Sequence, residues 1–289
     1  MNTPKLQVAY EPSPVEVLPI RKATRLESIR IAGLRVEHSI PAEKRFLIPI
    51  FFVHGMWCTG EVYRRLMLEM AEFGYECFSL TLRGHEDDYP IEKVGAISIA
   101  DHIGDVGRVL TEFGQGVILA GHSMGALVTA RVAGQNPEFI AAHIGLASAP
   151  PRWVLLGKEA YHRLPKYLNK MILRQSILPT VDDSLALLFN TLTPRAAEAF
   201  IRRLRHDSGL VALEIATWKF QLERLACPSL LIGATFDNFT PHQQQVASRL
   251  GADFLRVPCS HMMMIDPNFK SVVWAIDDWL KRKLSQAYV

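Results

Sequence analysis

Val117-Ile118-Leu119-Ala120 runs without a break into Gly121-His122-Ser123-Met124-Gly125 and then into ALVTARVAGQN. Consecutive apolar residues ahead of the first glycine mark a strand buried on both faces, and the residues after the second follow a helical pattern. The joint has no spare residues, so the chain must pass from strand to helix inside one turn. Such a turn forces its central residue into a backbone conformation that L-residues rarely adopt. Glycines on either side remove the side chains that would collide there. Ser123 is therefore expected in the crevice at the carboxyl end of a strand, where open α/β sheets bind ligands. It also falls at a helix N-terminus, whose N–H groups and dipole favour negative charge.

The surrounding pattern supports that placement. FLIPIFFV (46–53) reads as a buried strand, and GEVYRRLMLEMAEFG (60–74) as a helix with Val62, Leu66, Met70 and Phe73 on one face. ECFSLTL (76–82) reads as strand and 98–114 as a helix capped by Ser98, followed by GVILAGHS (116–123), a helix, and AAHIGLASA (141–149). Strands alternating with helices across short joints predict a parallel sheet. Ahead of them RLESIRIAGLRVEHSI alternates apolar and polar residues around Ala32-Gly33, as two antiparallel strands would. Pro4, Pro12, Pro14 and Pro19 make residues 1–26 an extended arm.

The alternation stops at 151–225, where helical patterns occur and no strand is expected. Thr193-Pro194 reads as a helix start. This segment carries 12 Lys and Arg against 7 Asp and Glu, a net of +5. The pattern resumes with SLLIGAT (229–235), a helix after Thr240-Pro241, DFLRVP (253–258) and a final amphipathic helix. Residues 27–150 and 226–289 are thus expected to form one core, with 151–225 inserted as a helical lid over the sheet edge.

Composition limits the function classes. With 49% hydrophobic and 21% charged residues over 289 positions, the chain is a globular protein of one or two domains. No apolar run reaches the ~18–20 residues of a membrane span, and no secretory leader is expected at the start. Cys58, Cys77, Cys227 and Cys259 are scattered, with no zinc spacing, and suit free thiols in a reducing, cytoplasmic compartment. A net charge of +3 without a basic run gives no reason to expect nucleic acid. No metal or cofactor is expected; the oligomeric state is not legible.

A serine hydroxyl needs a base to become a nucleophile. His261 follows the strand DFLRVP, at the edge where Ser123 is expected. The imidazole in turn needs an acid, and Asp237 follows the strand SLLIGAT at the same edge. Asp253 should fall at the opposite end of its strand, and Asp266, before Pro267, is expected to cap the last helix. Gly55, after His54, lets the Met56 N–H turn toward Ser123, so that the N–H groups of Met56 and Met124 would form an oxyanion hole. His54, Gly55, Trp57, His122 and Met262 are expected to line the pocket. Its rim is rich in Met56, Trp57, Met124 and Met262-Met263-Met264, of which about half should face the substrate. Leu164, Tyr167, Leu168, Met171 and Ile172 lie near helical spacing and suit a lid helix with its apolar side down. The same basic helix could touch anionic lipid, although a core-facing role is favoured.

VHGM (53–56), LRGHE (82–86), GHSMG (121–125), the aspartate of FDNFTP and the histidine of SHMMMID, in the order Ser, Asp, His, resemble the serine-dependent α/β-hydrolase superfamily over residues 27–283. The resemblance implies an α/β-hydrolase fold: a mostly parallel twisted sheet, helices on both faces and a helical cap inserted after the sixth strand. It implies an esterase- or lipase-like enzyme that cleaves a small-molecule carboxylic ester with an apolar acyl or aromatic part through an acyl-enzyme. Thioesterase, lactonase, C–C hydrolase, perhydrolase, acyltransferase or cyclase chemistry and a non-catalytic binding role remain open alternatives. In the RGH turn, Arg83 and His85 are read as holding loops together. The continuation RGHEDDY departs from the RGHG-x-S of many relatives.

Overall fold

The computed structural model describes residues 24–217 and 219–287; the prolines of the expected arm lie outside them. Ten strands are described: β1 (Arg25–Ile31), β2 (Leu34–Ile40), β3 (Ile50–Val53), β4 (Cys77–Leu80), β5 (Val117–His122), β6 (Ile140–Leu146), β7 (Ser176–Ile177), β8 (Asp207–Ser208), β9 (Ser229–Ala234) and β10 (Asp253–Val257). Eight form one sheet in the order β1-β2-β4-β3-β5-β6-β9-β10. Within this sheet the β1/β2 hairpin and the β2/β4 pair are antiparallel, and every other pair is parallel. Ala32 and Gly33 both take positive φ at the hairpin tip, the geometry that matches the twist of the paired strands.

The order locates the site. From β3 the chain steps to β4 on one side, then returns past β3 to β5 on the other. Right-handed crossovers therefore put the helices Arg64–Glu72 and Ile99–Phe113 on opposite faces of the sheet. The crevice between the carboxyl ends of β3 and β5 is the switch point of the sheet. In register, Val53 pairs with Gly121, Gly121 with Gly145, and Ala234 with Val257, so the loops after β3, β5, β9 and β10 leave one edge together. Ser98 caps the 99–113 helix, accepting from the Asp101 N–H while the Asp101 side chain accepts from the Ser98 N–H. The expected strand at 46–53 is shorter, beginning at Ile50: Pro49 has no N–H to give a ladder, and only its carbonyl is used, by Ile118 N–H.

Between β6 and β9 lie five short helices, Lys158–Arg163, Leu168–Ile172, Val181–Leu187, Pro194–Ile201 and Gly209–Ala216. Thr193 caps the fourth through the Ala196 N–H. Contrary to the sequence expectation, the insert also holds a strand pair, β7 with β8. Two residues per strand are too few for an alternating pattern to show. None of the helices among the described residues is long and apolar enough to cross a membrane.

At the end of β5, Ser123 has φ +52° and ψ −119°. A Cβ at Gly121 would lie 2.3 Å from the Gly125 carbonyl oxygen and 2.4 Å from Thr129 Oγ1; one at Gly125 would lie 2.4 Å from the carbonyl oxygens of Val53 and His54. The clashing atoms are mostly backbone and cannot swing aside. Gly121→Ala is therefore expected to lower stability by about 1–3 kcal/mol, seen as a lower urea midpoint at unchanged m-value.

Candidate active site

Ser123, Asp237 and His261 arrive from the loops after β5, β9 and β10. His261 Nε2 lies 3.1 Å from Ser123 Oγ, and its Nδ1 lies 3.0 Å from Asp237 Oδ2. All three side chains are buried. The Phe239 and Thr240 N–H groups both donate to Asp237 Oδ1 at 2.8 Å, and the Thr240 hydroxyl donates to Oδ2 at 2.8 Å. Burial alone would raise the Asp237 carboxyl, but His261 and these donors hold it below its ordinary value of 3.8. Asp237 thus remains an anion without water, with one oxygen aimed at the imidazole.

Asp253 and Asp266 do different work. Asp253 accepts from Trp279 Nε1 at 2.8 Å, away from the site. Asp266 does not cap the last helix with its side chain. Its Oδ2 accepts from the Ser260 N–H, the Ser260 hydroxyl and the Thr191 hydroxyl, tying the His261 loop to the insert.

The Met56 and Met124 N–H groups have no acceptor among the described residues. Met124 begins the helix Met124–Gln135, where first-turn N–H groups have no internal partner. A Cβ on Gly55 would stand 2.9 Å from Ser123 Cβ, so only glycine lets the β3 loop come this close. Trp57, next in that loop, sits at φ +65°.

An apolar cavity of about 300 Å³ opens over Ser123. Met56, Trp57, Met124 and Phe239 form its floor and sides; Tyr161, Leu164, Tyr167, Leu168 and Met171 of the insert form its roof. Four of the five residues expected on the lid face thus meet the cavity; Ile172 instead is 58% exposed. The pocket assignment needs correction in four places, because His54, Gly55, His122 and Met262 do not line the cavity. Each is packed beneath it. His54 donates from Nδ1 to the Gly55 carbonyl and accepts the Leu82 N–H at Nε2, bracing the β3 loop from below. Burial, then the charge of His85, pushes its pKa well below 6.5. His122 donates from Nε2 to the His261 carbonyl at 2.9 Å, and burial drives its pKa to about 3. Met262, Met263 and Met264 are core residues: side chains in the tight turn after His261 point into the sheet's packing, not toward the substrate. No local sequence pattern marks Phe239, whose ring centroid lies 5.1 Å from that of His261, or Asp207.

A Ser–His–Asp chain of hydrogen bonds at the switch point of a mostly parallel sheet, under a helical insert, is the architecture of an α/β hydrolase. A sequence profile described as Alpha/beta hydrolase family matches residues 50–269, and the chain belongs to that family. It is 27% identical over 106 residues to a putative non-heme haloperoxidase of Mycobacterium phage D29; the match covers 35% of this chain and 36% of that relative's length. Among solved structures it is similar to a monoglyceride lipase from Saccharomyces cerevisiae (TM-score 0.69, 16% identity, 94% and 99% of the two chains). It is also similar to the monoacylglycerol lipase of Paleococcus ferrophilus (TM-score 0.64, 21% identity, 86% and 98%). At these identities the likeness is one of fold.

Thr240→Val tests how Asp237 is held. A carboxyl whose folded pKa is depressed stabilises the fold above its ordinary 3.8, and that contribution is lost as pH falls through the folded value. Removing the hydroxyl should cost about 1.5–3 kcal/mol at pH 7. The gap from the parent should narrow below pH 3.8, when measured by urea unfolding across pH.

Proposed function

We propose that the protein is a serine hydrolase that cleaves small carboxylic esters with an apolar acyl or aromatic part. The observation that carries this reading is the placement of His261 between Ser123 Oγ and Asp237 Oδ2, at the floor of an apolar cavity. Ser123 Oγ attacks the ester carbonyl as its proton passes to His261 Nε2; Asp237 fixes the ring with Nδ1–H donating and stabilises the imidazolium. The carbonyl oxygen becomes an oxyanion between the Met56 and Met124 N–H groups, which have no other partner among the described residues and so need no reorganisation. The intermediate collapses, the C–O bond to the alcohol breaks, and the alcohol leaves with the proton from His261. Water then gives a proton to His261 as its oxygen attacks the acyl carbon, and the acid departs as Ser123 Oγ regains its proton.

The cavity favours the apolar acyl part. Among the described residues its wall offers no charged side chain to a substrate carboxylate or ammonium, and such a charge would be desolvated without a partner. In this reading the insert serves as the cap that excludes water.

Ser123→Ala should lose about 10³-fold or more in kcat toward p-nitrophenyl butyrate, and only the parent should be labelled by a fluorophosphonate probe. Across p-nitrophenyl acyl esters, kcat/KM should rise by up to about fourfold per added methylene until the cavity is filled. Parental rates in the alanine variant would refute the assignment.

A further inference from the structure

The insert reaches under the site at one point. Arg205 donates its backbone N–H to the Trp57 carbonyl at 2.8 Å, and Asp207 Oδ2 accepts the Trp57 N–H at 2.7 Å. One short segment of the insert thus holds both backbone polar groups of the residue that follows Met56. Trp57 is also held at φ +65°, a conformation that a non-glycine side chain does not keep without outside constraint.

Asp207 is itself fixed. The same Oδ2 receives His85 Nε2 at 2.9 Å, and Oδ1 receives the Ser208 N–H at 2.6 Å. The Ser208 hydroxyl donates to the carbonyls of Gly95 and Ile97, anchoring β8 in the core. His85 Nδ1 faces the Arg83 carbonyl at 3.0 Å. Both ring nitrogens therefore meet acceptors, a pairing that only the doubly protonated imidazolium satisfies. Burial alone would lower the His85 pKa, but the Asp207 charge raises it; burial likewise would raise Asp207, but His85 lowers it. The other imidazoles facing this pair, His54 and His102, are kept neutral by burial, with His102 at about 4. Arg83 turns its guanidinium away to Asp105 and Asp101.

We propose that Asp207, held by the His85 imidazolium, is a positioning residue for ester hydrolysis: it fixes the Met56–Trp57 peptide and so aims the Met56 N–H at the developing oxyanion. Asp207 touches no substrate and acts through the backbone of the β3 loop. The inference rests on the serine-hydrolase reading. It makes the insert a contributor to transition-state stabilisation as well as a roof.

Asp207→Asn nearly preserves shape and removes the charge that holds His85. Its kcat on p-nitrophenyl butyrate should fall about 10- to 100-fold, the range for small misplacements of a catalytic group, while KM stays within about twofold. An alkyl boronic acid, which forms a tetrahedral adduct with serine, should bind weaker by a similar factor. Butyramide, a neutral mimic of the ground state, should bind unchanged. Asp183→Asn is the comparison: Asp183 ties Arg163, Lys166 and Tyr167 within the insert without touching the β3 loop. It should raise KM and leave the boronate-to-butyramide affinity ratio at the parental value. A folded Asp207→Asn enzyme with kcat within twofold of the parent, or one that loses boronate and butyramide affinity equally, overturns the proposal. If that variant does not fold, His85→Gln decides. Its amide still donates to Asp207, and kcat must fall at constant KM; an unchanged kcat overturns the proposal equally. A parent enzyme without ester hydrolysis would instead sink the underlying reading.

Discussion

Holding a serine at φ +52° between a strand and a helix costs conformational energy, and the surroundings must over-determine that geometry for it to persist. Here the backbone does so. The Ser123 N–H donates to the Leu146 carbonyl and its own carbonyl accepts from the Ala149 N–H, so the end of β6 and the loop after it grip the turn from both sides. Gly121 and Gly125 let strand, helix and the β3 loop meet at distances no Cβ would allow. From this one constraint follow the exposure of Oγ to the cavity, the direction of the Met124 N–H, and the distance at which the β3 loop must pass.

The same fold assigns different states to chemically identical side chains. His54 and His122 are buried with one ring nitrogen donating to a carbonyl, and burial keeps them neutral. His85 is just as buried, yet its two acceptors include a carboxylate, which makes the charged form the satisfied one. His261 faces a carboxylate on one nitrogen and a hydroxyl on the other, the arrangement that suits a ring gaining and losing a proton. Partner chemistry, more than burial, divides the neutral struts from the cation and from the ring that the proposed mechanism protonates and deprotonates.

How much of this was legible depends on the range of the constraint. The strand–turn–helix at Ser123 shows in the sequence because it is local: an apolar run, two glycines and a helical pattern stand side by side. Asp237 and His261 were legible one step less directly, since each follows an apolar strand and the rule that parallel strands end at one edge places them near Ser123. The pocket wall was harder. His54, His122 and Met262 neighbour site residues in sequence, but their buried side chains pack away from the cavity. The lid face at Leu164, Tyr167, Leu168 and Met171 could be read because helical spacing reports a shared side. Asp207 could not. Its partners, Trp57 and His85, lie 150 and 122 residues away, and its strand is two residues long.

These ties fasten different parts of the insert to different partners. The segment from Arg205 to Leu210 is bonded to Trp57, His85, Gly95 and Ile97 of the core, so displacing it would disturb the β3 loop itself. Asn190 and Thr191 are similarly fastened, to the Phe236 carbonyl and to Asp266, beside the Asp237 and His261 loops. The roof helices at 158–172 differ: their charged and tyrosyl ties through Arg163, Lys166 and Tyr167 end on Asp182 and Asp183 within the insert. They also carry the half-exposed Tyr161 and Leu168, which line the cavity and face solvent at once. They nevertheless rest on the anchored segment: β7 pairs with β8, the Gly209 N–H donates to the Gln175 carbonyl, and a Cβ at Gly209 would lie 2.7 Å from the Lys170 carbonyl oxygen. In the proposed hydrolase, any movement of the roof is therefore coupled through β8 to the Asp207 that grips Trp57.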